Sequence, residues 1–152
     1  MPFDHEDARH MRQAIDAARQ ARAAGDMPFG AVLARGGKAV WTSRNNQLTT
    51  ADCTGHAEVV LIREAAQALG TEALRGATVY ASGEPCAMCA GAMFWAGISR
   101  IVYGAPTPEM TAVLGGPSLG ARCAEVLAAA QPAVAVEGPL LVDEAMAVLE
   151  RP

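Results

Sequence analysis

Apolar positions along the chain change period several times, and each change marks an element. Over residues 6–24, Met11, Ala14, Ile15 and Ala18 recur at i, i+3, i+4 and i+7 among Ala, Arg and Gln, which predicts a helix ended by Gly25-Asp26. Residues 29–34 and 39–43 are short strand-like runs either side of Arg35-Gly36-Gly37-Lys38 and predict a hairpin. Thr54 is placed to cap a helix over 56–69 that Gly70 closes. A strand over 78–82 follows, then a helix introduced by Pro85 and running through Trp95, then a strand over 98–103. Pro106, Pro108, Gly115, Gly116 and Pro117 read as a loop, and 119–130 and 141–150 as helices with a weak strand between them. Strands alternating with helices imply a sheet covered by helices, an α/β sandwich.

Composition narrows the class. The 152 residues contain no repeat, low-complexity tract or long linker, so a single domain over 1–152 is expected, large enough to bury roughly 70% of its unfolded surface. A hydrophobic content of 51% with 18% charged residues excludes a disordered chain. No apolar run is long enough to span a membrane. The start, Met1-Pro2-Phe3-Asp4-His5-Glu6-Asp7, carries acids where a signal peptide carries basic residues, so a cytoplasmic location is expected. In that compartment Cys53, Cys86, Cys89 and Cys123 are expected as thiols or metal ligands. The net charge is −4, Lys38 is the one lysine among 12 basic residues, and 124–150 has acids but no Lys or Arg. That balance disfavours nucleic acid as a partner and favours a small molecule.

Chemistry concentrates in two segments at predicted helix starts, His56-Ala57-Glu58 and Pro85-Cys86-Ala87-Met88-Cys89. Catalytic zinc takes three protein ligands and leaves a fourth position for water. Cys86 and Cys89, three apart, face one way in a first helical turn, and His56 supplies a third ligand. Glu58 lies two residues past His56, but side chains tilt back beyond a helix N-terminus, so both can flank one metal. Free amides and the positive end of the helix dipole favour thiolates there. With two thiolates zinc is a weak Lewis acid, so a carboxylate base has work to do. Glu58 would take a proton from the attacking water, pass it to a ring nitrogen and protonate the departing amine.

The pair H-x-E and P-C-x-x-C is the signature of zinc deaminases. Beside it stand Met27-Pro28-Phe29-Gly30-Ala31-Val32, Asn45-Asn46, Thr54-Gly55-His56-Ala57-Glu58 and Glu84-Pro85-Cys86-Ala87-Met88-Cys89-Ala90-Gly91-Ala92. On these residues the chain resembles the cytidine deaminase-like superfamily, and within it bacterial guanine deaminases, tRNA adenosine deaminases and fungal-type cytosine deaminases. The resemblance runs to about Gly104. It implies a three-layer α/β/α sandwich with a central mixed sheet of about five strands. It also implies a homodimer, and one Zn2+ per chain with a bound water or hydroxide, held by His56, Cys86 and Cys89. Glu58 becomes the catalytic proton shuttle, Asn45 and the backbone amide of Ala57 contact the base, and Phe29 and Trp95 line the pocket. The expected enzyme is a hydrolase of C–N bonds in cyclic amidines, acting on a free nucleobase of the guanine type.

Other readings stay open. The C-x-x-C pair is also the pattern of a redox dithiol. Cys53, where the family carries proline, could close a Cys₃His structural site with no turnover. Asn45 suits a turn, and Phe29 and Trp95 suit a core. His5, His10 and the arginines of the first helix are expected in solvent, and Cys123 in the core. The substrate could instead be tRNA adenosine, cytosine, isocytosine or a triazine. No aromatic residue follows Tyr103, so the pocket lid is expected to be aliphatic, from residues 110–119, or to come from a partner subunit.

Overall fold

Helix α1 (His5–Ala23) begins at Asp4, whose carboxylate accepts from the Asp7 N–H while the Asp7 carboxylate accepts from the Asp4 N–H, a reciprocal capping box. The computed structural model describes residues 3–150. Met1 and Pro2 of the acidic start, and Arg151 and Pro152 at the end of the expected domain, lie outside the described residues. The predicted face of α1, Met11, Ala14, Ile15 and Ala18, is buried. Its alanines let it approach the sheet closely. A Cβ at Gly30 would lie 2.2 Å from the Ala14 carbonyl oxygen and 2.6 Å from the Ala17 Cβ, so a glycine is needed there. His10 is also buried, 1% exposed, which corrects the solvated position expected of it; it sits on the face of α1 that packs against the Tyr80 ring.

Strands β1 (Gly30–Arg35) and β2 (Lys38–Arg44) form the expected antiparallel hairpin, turned by Gly36 and Gly37, both at positive φ. β3 (Thr78–Gly83) pairs antiparallel with β1, and β4 (Arg100–Ala105) and β5 (Ala135–Glu137) follow in parallel. The order β2-β1-β3-β4-β5 makes a mixed five-stranded sheet. Alternation along the strands divides the core in two. Leu33, Val79 and Ile101 meet α2 (Ala57–Leu69), α3 (Ala87–Ala96) and the short α5 (Cys123–Val126) on one face. Val32, Tyr80 and Val102 meet α1 and α6 (Val142–Leu149) on the other. This is the expected three-layer sandwich.

Three local expectations are corrected. The stretch read as a loop contains α4 (Thr107–Leu114), capped by Pro106, with Pro108 in the first turn where a missing N–H costs nothing, and ended by Gly115. The helix expected over 119–130 shrinks to α5, because Gly120 takes a positive φ inside it and Leu119 stands 72% exposed. Thr54 does not cap α2. Its N–H and hydroxyl donate to Asp52 at 2.9 and 2.7 Å, and His56 takes the N-cap position.

Candidate active site

The starts of α2 and α3 bring the two segments together. His56 is the N-cap of α2 with Glu58 in its first turn, and Cys86 is the N-cap of α3 with Cys89 at its third position. His56 Nδ1 lies 3.6 Å from Cys86 Sγ and 3.4 Å from Cys89 Sγ, and the two sulfurs are 3.7 Å apart. Tetrahedral zinc, with sulfur at about 2.3 Å and nitrogen at about 2.0–2.1 Å, sets sulfurs roughly 3.8 Å apart and sulfur from nitrogen roughly 3.6 Å. The triangle therefore fits one zinc ion, and among the described residues these three form the one His/Cys/Asp/Glu group compact enough to hold a metal. Cys53 is exposed and outside it, so the closed Cys₃His arrangement does not form.

Electrostatics in the group follow from crowding. The contact with Cys89, and after it that with His56, hold the Cys86 thiol down at about 4 against the opposing effect of burial. The contact with Cys86, then burial, push the Cys89 thiol up. His56 is raised by its contact with the Cys86 sulfur. Glu58, only 7% exposed, is pushed up to about 7, chiefly by burial.

Glu58, His56 and Cys86 open into a cavity of about 550 Å³. Phe29 and Asn45 line it, together with Gln47, Met110 and Leu114. A Cβ on Gly83 would meet Met110 Sδ at 2.7 Å and the Phe29 ring at 2.8 Å, so that glycine leaves room for both side chains in the wall. A second hollow of about 410 Å³ continues from it beneath α4 and residues 115–121, sharing Phe29, His56, Met110 and Leu114. The roof is aliphatic, as the missing aromatics foretold, and no Lys or Arg is among the described residues lining either space. A hollow of about 590 Å³ between α1, β2 and α2 is larger but contains none of the candidate ligands.

The remaining predicted residues divide. Ala57 is fully buried at the first position of α2, where its N–H has no acceptor within the helix, and it is not among the residues lining the cavity. Trp95 is 84% exposed, edge-on to Phe94 near the end of α3, and lines neither space; six residues beyond Cys89, it projects away from the metal group.

Three residues with a part in the site carry no functional motif in the sequence: Asp26, Gln47 and Glu84. Asp26 accepts from the N–H groups of Leu48 and Thr49 and from the Thr49 hydroxyl, which fixes the loop carrying Asn45 and Gln47. Gln47 itself had no motif to announce it. Glu84, 6% exposed, accepts from the Thr107 N–H, the Arg122 guanidinium and the Cys123 N–H, so both ends of the roof hang from one carboxylate beside the cysteines. Burial opposes its charge, yet those donors hold it below the usual carboxylate range. Its place before Pro85 was a visible signal for it.

The family described as the cytidine and deoxycytidylate deaminase zinc-binding region matches residues 4–105. The chain is 40% identical over 104 residues to the tRNA-specific adenosine deaminase of Bacillus subtilis, spanning 68% of this chain and 65% of that protein. It is 44% identical over 78 residues to the guanine deaminase of the same organism, spanning 51% and 50%. A solved tRNA:A34 deaminase, which edits adenosine to inosine at the wobble position of transfer RNA, superposes with a TM-score of 0.78. It is 34% identical, and the match spans 92% of this chain and 98% of that one.

Proposed function

Because the chain belongs to the zinc-binding cytidine and deoxycytidylate deaminase family, whose members are hydrolases of C–N bonds, we propose that it removes the exocyclic amine of a free guanine-type nucleobase. The observation that carries this reading is a buried Glu58 sharing one cavity with His56 and Cys86, under an aliphatic roof and with no Lys or Arg among the described residues of its walls. His56, Cys86 and Cys89 are the residues that would hold the metal. When bound, zinc supplies a Lewis acid that makes water a nucleophile near neutral pH. Glu58 carries the protons: it accepts one from the attacking water and gives it to a ring nitrogen, then takes the second from the hydroxyl now on the ring carbon and delivers it to the amine, so that the C–O–H becomes a carbonyl as the C–N bond breaks and ammonia leaves. Phe29 and Met110 give the ring apolar contact, and Asn45 orients it by hydrogen bonding. The roof excludes bulk water. One catalytic domain working as a homodimer in the reducing cytoplasm accompanies this reading, consistent with thiolate ligands and an exposed Cys53.

Ammonia release from guanine, cytosine, isocytosine, adenine, their nucleosides and a triazine tests it. The zinc-loaded chain is expected to act on guanine, and Glu58→Gln to retain zinc while losing about 10²–10⁴-fold in rate. Equal rates in the two chains would remove Glu58 from the chemistry. A second reading, a tRNA adenosine deaminase, is favoured by the 40% identity to the Bacillus subtilis tRNA-specific enzyme. Against it stand the net charge of −4 and the absence of Lys and Arg over 124–150, which would face a polyanion unfavourably. Salt-sensitive inosine formation in tRNA, with the free bases untouched, would establish that second reading.

A further inference from the structure

Asn45 and Gln47 hold each other by two hydrogen bonds. The Gln47 N–H donates to Asn45 Oδ1 at 2.9 Å, and Asn45 Nδ2 donates to Gln47 Oε1 at 2.7 Å. The orientation of a carboxamide is ordinarily open to a flip. Here the backbone decides it. A backbone N–H can only donate, so Asn45 must turn its oxygen to it; the Asn45 nitrogen then faces Gln47, which must answer with oxygen. What remains unspent follows from the inventory of a carboxamide: one N–H on Asn45, and both N–H bonds of Gln47 Nε2, which donates to nothing among the described residues. Both residues line the cavity that holds Glu58.

We propose that Gln47 is a specificity-determining residue: it locks Asn45 and adds a second donor to the cavity wall, so that the site selects a heterocycle with two neighbouring acceptors, a carbonyl oxygen beside an unprotonated ring nitrogen. The inference rests on the reading of the site as that of a guanine-type deaminase. Guanine carries such a pair in O6 and N7, away from the reacting C2, whereas adenine sets an amine donor beside N7, and the comparable pair of cytosine, O2 and N3, includes the ring nitrogen beside the reacting carbon that Glu58 must protonate. A donor turned towards a donor leaves both unpaired, and a site built this way rejects the wrong base strongly. No Lys or Arg is among the described residues lining the cavity to supply the same contact by another route.

The test pairs two substrates with two variants. 7-Deazaguanine keeps O6 and the 2-amino group but has carbon in place of N7. Gln47→Glu keeps an oxygen for Asn45 Nδ2 and removes the donor nitrogen, whereas Gln47→Leu removes both. The wild-type zinc form is expected to prefer guanine over 7-deazaguanine by at least about tenfold in kcat/KM. Both variants should bring that ratio to within about twofold of one, with zinc content and Tm unchanged. A purely structural role for Gln47 would lower both substrates together and leave the ratio intact, which would overturn the inference while sparing the deaminase reading. Wild-type activity on another base with none on guanine would overturn the guanine reading and this inference with it. Equilibrium binding of the two purines to Glu58→Gln reads the same preference without turnover, and equal affinities there would also overturn it.

Discussion

Removing one sulfur at a time separates the metal ligands from their neighbours. Cys86→Ala takes away one corner of a triangle whose edges are 3.4–3.7 Å, and the chain should purify without stoichiometric zinc. Cys53→Ser alters an exposed thiol outside that triangle and should leave one zinc per chain. Metal analysis by mass spectrometry reads both, and zinc retained by the first variant or lost from the second would reverse the assignment. The four residues at this corner, His56, Glu58, Cys86 and Cys89, were legible in the sequence because metal and base chemistry demand residue types that spacing at a helix start brings together. Asn45 and Phe29 were legible only through resemblance, since an Asn in a turn and a Phe near a strand have ordinary explanations. Gln47 was hidden for a different reason. Its importance lies in a reciprocal bond to a neighbour two residues away, and no pattern of residue types marks that in advance.

At the scale of elements, α1 presents a pH-dependent seam. Neither ring nitrogen of buried His10 has a hydrogen-bond partner among the described residues, and its ring lies 5.0 Å from that of Tyr80. Burial first, then the Arg9 charge, lower its pKa below 6.5, with Glu6, Asp7 and Asp4 opposing. The unfolded chain therefore binds the proton first, so this contribution to stability is full above about pH 6.5 and is lost as the pH falls from there towards the folded value. One turn earlier, Asp7 behaves in another window. Burial works against its charge, yet Arg100, Tyr80 and the Asp4 N–H hold its carboxyl well below the ordinary range, and its contribution is lost only below about pH 4. Denaturant unfolding between pH 7.5 and 5 should show falling stability in the wild type and a flatter profile in His10→Leu. At pH 7.5 that variant should be neutral or more stable by up to about 1 kcal/mol, because it removes polar atoms that have no partner. Metal loss on acidification affects both chains alike, so their difference isolates His10; parallel profiles would exclude it. The burial of His10 was missed because Asp7, Arg9 and Arg12 crowd that turn of α1, and the face fixed by four apolar residues leaves its width undefined. The same limit applied downstream. Prolines over 106–117 suggested a loop, although proline in a first helical turn costs little, and alanines over 119–130 suggested a long helix where only the turn carrying buried Cys123 and Leu127 is anchored to the core.

For the whole molecule, the two-sided sheet explains why the chemistry sits at one end. β3 delivers Pro85 and the cysteines to the start of α3, and the loop leaving β2 delivers His56 to the start of α2, so both helix N-termini converge beyond one edge of the same face. The other end of α3 points elsewhere and carries Trp95, 84% exposed beside Phe94. An indole buries roughly 150–250 Å² when covered, and such a ring left in water is the kind of residue around which interfaces form. The homodimer proposed above gives it a cover. Sedimentation equilibrium of the zinc-loaded chain should then show a dimer, and Trp95→Ser should weaken it by at least about thirtyfold, in keeping with the 2 kcal/mol or more that a buried interfacial Trp carries. Zinc content should be unchanged, since Trp95 is remote from the ligand triangle, so a monomer that still binds zinc separates assembly from the metal centre. Trp41 provides the internal reference: its indole N–H donates to Glu64 at 3.1 Å within the chain, and Trp41→Phe should leave the association constant where it was. A wild-type chain that sediments as a monomer, with Trp95 fluorescence fully quenched by acrylamide, would leave the indole to solvent and remove the dimer from the account.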